Sequence, residues 1–325
     1  MAPEQILLIV LVTGVILYTL FGGADFGVGV WEFGTAFQSS EKEREYLYRA
    51  IGPVWEANHV WLIFVLVILF GAFPLAFAEI CRALWLPLLI ALVGIVFRGV
   101  GFAFRSYAAG MMRQQAIWGT LFSIASTATP FFLGAAFGAM ASGKMQTTGW
   151  ISPFSVYSAF FFVGVCAYIS AVYLTREAKN QREKELEMLW RSRSLTMGVW
   201  LGILSLVGLV IIKTDAPILW NEFRQHSWSF VSLSFVFGNL SLWGLWKGKL
   251  TAATICSQLA IVSVILGWSV AQYPILIWPG LTMAMAKSPE PVLWAMIWGL
   301  SLGSILLVPS LVYLFYLFKG KRPQA

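Results

Sequence analysis

Charge falls along this chain in short clusters, and between the clusters run stretches with almost none, each of the roughly 20 residues needed to cross a bilayer. Residues 5–24 form the first such stretch, which continues past Asp25 toward Phe37. The others are 60–78, 79–104, 117–141, 153–175, 194–212, 228–246, 251–271 and 292–318. The second is expected to begin earlier, at Gly52-Pro53, because proline is well tolerated at a first helical position. Inside hydrocarbon a chain must satisfy its own backbone, and segments of this length do so as helices. The pattern therefore predicts an all-α, polytopic membrane protein with about nine transmembrane helices in one integral-membrane domain over 1–325. Only 11% of residues are charged and 59% are hydrophobic, against about 25% charged in soluble proteins. That composition excludes a cytosolic enzyme, a disordered chain and a nucleic-acid binder.

Nine helices place the two ends on opposite sides. Of the 22 Lys and Arg, all but Arg82, Lys144, Lys213, Arg224 and Lys287 then fall on one side. Basic residues mark the cytoplasmic face, so the N-terminus is expected outside and the C-terminus inside. The N-terminal residues carry no positive charge ahead of the first run, which is expected to stay as a membrane helix rather than be cleaved. Residues 176–194 alternate basic and acidic side chains and read as a solvated extension of the fifth helix. Residues 272–280 hold two prolines and a glycine and read as an interfacial loop, where Gln272, Tyr273 and Trp278 either cap an outer pocket or belong to the loop alone. Trp150, Trp220, Trp228 and Trp278 fall near expected outer boundaries, as an aromatic belt would.

Cys81, Cys166 and Cys256 form no paired framework or zinc motif. Two histidines, His59 and His226, are too few for several haems or a dinuclear centre. Two carboxylates stand out, since an ionised acid inside a span costs on the order of 2.5–3.5 kcal/mol. Asp25 lies within Gly22-Gly23-Ala24-Asp25-Phe26-Gly27-Val28-Gly29, and Glu56 within Trp55-Glu56-Ala57-Asn58-His59-Val60-Trp61. At about 1.5 Å per residue they sit roughly 15 and 10 Å from the turn joining the first two helices. Both are thus in the inner half, where a proton path from the cytoplasm would need them. Gly23 and Gly27 are spaced for close helix packing. Glu56 and His59 share one helix face; Glu-x-x-His also occurs in di-iron bundles, which require two such motifs and two more carboxylates, so no metal site is expected. His59 is either a relay partner of Glu56 or a satisfied structural histidine. Trp55 and Asn58 add polar contacts to that turn. Arg98 either snorkels or neutralises a carboxylate.

The segments carrying Asp25 and Glu56, with Ala72-Phe73-Pro74, the run from Phe97 to Arg105 and Ala271-Gln272-Tyr273-Pro274, resemble subunit II of the cytochrome bd-type quinol oxidases. The likeness extends over essentially the whole chain. It implies two four-helix bundles plus one peripheral helix, in a bacterial cytoplasmic-membrane complex that oxidises quinol and reduces dioxygen to water. The resulting proton gradient arises without a separate pump. It implies a subunit I partner that carries haem b and haem d, with no haem ligand in this chain. It places the family's two buried acids on Asp25 and Glu56, and it admits a structural quinone and a small single-helix accessory subunit. Many relatives carry Asp-Gly-Asn where this chain has Glu56-Ala57-Asn58, and Glu or Gln at His59. These departures point toward the cyanide-insensitive-type branch. A proton-coupled transporter using the same acids and a scaffold without a proton role are the alternative readings.

Overall fold

The computed structural model describes residues 1–35, 41–51, 55–107 and 112–319, with the side chains of 41, 51, 55–57, 106, 112–113 and 314–319 left out of the description. The first span is α1, Pro3–Gly34, followed by the short α2, Glu41–Ile51. Then come α3, Trp55–Ala72; α4, Pro74–Ala83; α5, Trp85–Tyr107; and α6, Met112–Ala141. The second half holds α7, Pro153–Asn180; α8, Lys184–Asp215; α9, Pro217–Glu222; α10, Trp228–Trp246; and α11, Leu250–Gln272. Strands β1, Ile275–Ile277, and β2, Leu281–Thr282, lead into α12, Met283–Ala286, and α13, Glu290–Lys319. Among the described residues eight helices are long and apolar enough to cross a membrane, or nine if the bent pair α3–α4 is counted as one span.

The spans pack in two groups. Helices α1, α3, α5 and α6 form one and α7, α8, α10 and α11 the other, with α1 lying against α6 and α7 at the seam. Helix α13 stands at the periphery against α1 and α3. The seam is close because glycine allows it. A Cβ on Gly27 would come within 1.9 Å of the Cys166 carbonyl oxygen on α7, and one on Gly29 within 2.2 Å of Ser126 on α6. The α2 end of the molecule is plugged by Tyr46 and Leu47 of α2 with Val28, Leu174 and Trp190. The opposite end is closed by the hairpin: Ile277 and Met283 pack with Leu7, Ile68 and Leu293.

Four local expectations are revised. The second span stops at Ala72 instead of running to 78, because Pro74 has no N–H to continue it. Residues 74–83 instead form a separate helix bent by 116°, and the third span begins at Trp85 instead of 79. Residues 176–194 extend the fifth helix only as far as Asn180. Helix α7 ends at Asn180, the chain reverses at Arg182 with φ +60°, and the remainder is the first turns of α8. Residues 272–280 hold structure of their own: β1 pairs antiparallel with β2. The proposed start of the second helix at Gly52-Pro53 lies outside the described residues.

Candidate functional site

Helices α1, α3, α5 and α6 bring their buried polar residues together on the α2 side of the first bundle. Asp25 in α1 is 8% exposed, and its Oδ2 accepts a 2.7 Å hydrogen bond from Asn58 Nδ2 on α3. One residue along α3, His59 Nε2 lies 2.9 Å from Arg98 Nη1 on α5. Arg98 is 1% exposed, so it does not snorkel; it stays inside the bundle, within electrostatic reach of Asp25. Its guanidinium carbon sits 5.1 Å from the Phe26 ring centre and 5.4 Å from that of Phe122. Aromatic faces stabilise a cation by electrostatic attraction, more so when both are desolvated. A buried cation therefore lies between two phenyl rings, close to a buried carboxylate.

The imidazole is enclosed in the same way. Phe26 meets it edge-on at 5.5 Å and Tyr18 lies 6.1 Å away. Tyr18 Oη, Asn58 Oδ1 and His59 Nδ1 are buried and make no hydrogen bond among the described residues. Of the expected site residues, Asp25, Asn58, His59 and Arg98 thus converge. The side chains of Glu56 and Trp55 lie outside the described residues. Tyr18, Phe26 and Phe122 were not among the expected residues. A tyrosine in the middle of a charge-free run could have marked Tyr18; nothing in the sequence distinguishes Phe122 from its apolar neighbours.

The remaining candidates lie elsewhere. Gln272 Oε1 accepts from Trp278 Nε1 at 3.0 Å, and its Nε2 donates to Leu276 O. The Tyr273 hydroxyl accepts from Gln5. These groups tie the hairpin to itself and to α1. His226 is exposed beyond the start of α10 and lies 3.3 Å from Glu222. Among the described residues no three His, Cys, Asp or Glu side chains gather as metal ligands. His59 Nε2 lies against Arg98 and His226 lies beside Glu222. A groove of about 600 Å³ runs between α1, α7 and α8, lined by Trp31, Phe160, Met197, Trp200 and Leu204 among others. It fits a hydrocarbon chain. The indole N–H of Trp31 is given to Ala167 O at 2.8 Å.

Fold and site together define a multi-pass α-helical membrane protein that keeps opposite charges inside its spans. The family model for cytochrome bd terminal oxidase subunit II matches residues 3–318, and the chain belongs to that family. It is 24% identical to the cytochrome bd-I ubiquinol oxidase subunit 2 of Escherichia coli K12, across 93% of this chain and 90% of that protein. It is 26% identical to the cytochrome bd ubiquinol oxidase subunit 2 of Bacillus subtilis 168, a match spanning 59% of this chain and 58% of the relative. Its fold matches a chain of the bd oxidase from Geobacillus thermodenitrificans with a TM-score of 0.77 at 22% identity, covering 99% of this chain and 100% of that one.

Proposed function

We propose that this chain is the haem-free subunit of a bd-type terminal oxidase complex. Its partner, subunit I, holds haem b and haem d, oxidises quinol and reduces dioxygen to water. This chain braces that partner and gives protons access to it through Asp25 and Glu56. The observation that carries the reading is the Asp25 carboxylate, buried inside a span and hydrogen-bonded to Asn58 of the helix that also bears Glu56. A carboxylate is expensive at that depth, and that cost supports a role in handling protons.

The relatives' names support a quinol oxidase, and the excess of basic residues at the α2 side supports a cytoplasmic α2 end with the N-terminus outside. The site then lies on the cytoplasmic side, where protons consumed in water formation are drawn. In the complex purified with its partner, Glu56→Gln and Asp25→Asn are each expected to slow oxygen consumption by roughly tenfold or more, with haem content retained. Unchanged consumption in both variants would leave only a scaffold. A tagged chain is expected to co-purify with a haem-bearing membrane protein. Its recovery alone, with quinol oxidase activity intact in a strain lacking it, would overturn the assignment.

A further inference from the structure

Beside the Arg98–His59 contact, three buried polar atoms from two helices are left without hydrogen bonds: Tyr18 Oη, Asn58 Oδ1 and His59 Nδ1. Tyr18 and Asn58 are 8% and 6% exposed. A buried polar atom left unbonded costs about 1–3 kcal/mol; Tyr18 lies 6.1 Å from the His59 ring and Asn58 adjoins His59 along α3, so these atoms together call for something that satisfies them. Their chemistry narrows what that is. A guanidinium can only donate, so the 2.9 Å contact makes His59 Nε2 the acceptor and puts the imidazole proton on Nδ1. A second proton on the ring would set N–H against N–H beside a fixed positive charge. Tyr18 and Phe26 face the ring from α1 and Arg98 from α5. Among the described residues Arg98 is the charged group acting on it.

The site therefore offers an N–H donor, an amide acceptor and a hydroxyl that can do either. Such a mixed set suits neither a cation nor an anion. It suits water, which when buried makes about three hydrogen bonds to otherwise unsatisfied groups. We propose that Arg98 locks His59 as the neutral Nδ1–H tautomer, and that this N–H, Asn58 Oδ1 and Tyr18 Oη hold ordered water beside the Asp25–Asn58 hydrogen bond. This deepens the proton-access reading and rests on it. His59 becomes a residue that positions water next to Asp25 and does not itself carry the proton.

The direct test is a structure of the purified, intact oxidase complex at a resolution that shows ordered solvent. Density is expected within hydrogen-bonding distance of both His59 Nδ1 and Asn58 Oδ1. A dry site, or a protein atom bonded to Nδ1, overturns the proposal and needs no variant to fold. Two substitutions read its functional side. His59→Gln can accept from Arg98 and donate to water, and is expected to hold turnover within about twofold with an unchanged pH profile, whereas His59→Phe slows it roughly tenfold. If His59→Gln loses as much as His59→Phe, or loses a step in the pH profile, the histidine is titrating and the proposal falls. Failure of both Asp25→Asn and Glu56→Gln to slow turnover would instead remove the proton-access reading while leaving the solvent density in place, so the two failures are distinguishable.

Discussion

Arg98 carries a full charge at 1% exposure, and its surroundings are specific to the guanidinium. The planar group donates to His59 while presenting its faces to Phe26 and Phe122. A lysine ammonium has the charge but neither the plane nor the fork. Arg98→Lys is therefore expected to lower the melting temperature of the purified complex. Arg98→Leu, which also strips the cation from the neighbourhood of Asp25, is expected to destabilise by about 3–5 kcal/mol and to reduce the assembled complex recovered from membranes. Free exchange by lysine would mean that the side chain reaches the interface after all. At this scale the sequence was half legible. Asp25 stood out because a carboxylate in an apolar run has an obvious penalty, and Asn58, His59 and Arg98 stood out as polar neighbours. The pairing of Asp25 with Asn58 and of Arg98 with His59 was not legible, because spacing along one helix does not fix how it is rotated against the next.

Between elements, contact is set by what glycine leaves out and by which ion pairs are dry. Helix α1 meets α7 backbone to backbone at Gly27, where any Cβ would strike the Cys166 carbonyl. Gly27→Val is expected to abolish accumulation of the complex. Gly202→Ala on α8, where nothing lies within 4 Å, is expected to be neutral or slightly stabilising because alanine is the better helix former by about 1 kcal/mol; immunoblots of membranes and melting curves separate the two. Helix α2 is held by a buried pair and an exposed one. Arg193 of α8 bonds Glu43, whose side chain is 5% exposed, while stacked near Trp31 and Trp190. Tyr46 adds a 2.6 Å bond to Leu174 O. Lys42 lies 3.0 Å from Glu183 with both side chains well exposed, and the Glu183 carboxylate raises its ammonium above the usual range. Exposed pairs contribute little, whereas removing one partner of a buried pair strands the other charge. Arg193→Leu is expected to lower the melting temperature by several degrees and Lys42→Gln to leave it unchanged. The amphipathic α2 escaped sequence reading because a short helix lying across bundle ends has no span-length signature. The break at Pro74 was missed because the apolar run continues through it.

For the whole molecule, the spans were legible and their bundling was not. Nine apolar segments and the one-sided distribution of Lys and Arg follow from the cost of burying charge, which composition records directly. Which helix lies at the seam depends on side-chain complementarity across the bundles, as with Gly27 and Gly29, and no single segment reveals it. That arrangement has a consequence for energy conservation. Asp25 sits in α1, which packs against both bundles, bonded to the neutral amide of Asn58 and within electrostatic reach of Arg98. On the proposed proton-access role, such an acid meters how fast protons arrive and does not set how many arrive for each electron. In proteoliposomes containing the intact complex, Asp25→Asn is expected to lower the rate of oxygen consumption while leaving protons taken up per electron as in the unsubstituted complex. A fall in that ratio, measured with a pH-sensitive dye inside the vesicles, would show that Asp25 belongs to a pumping element; rate and ratio both unchanged would show that protons reach the partner by another way.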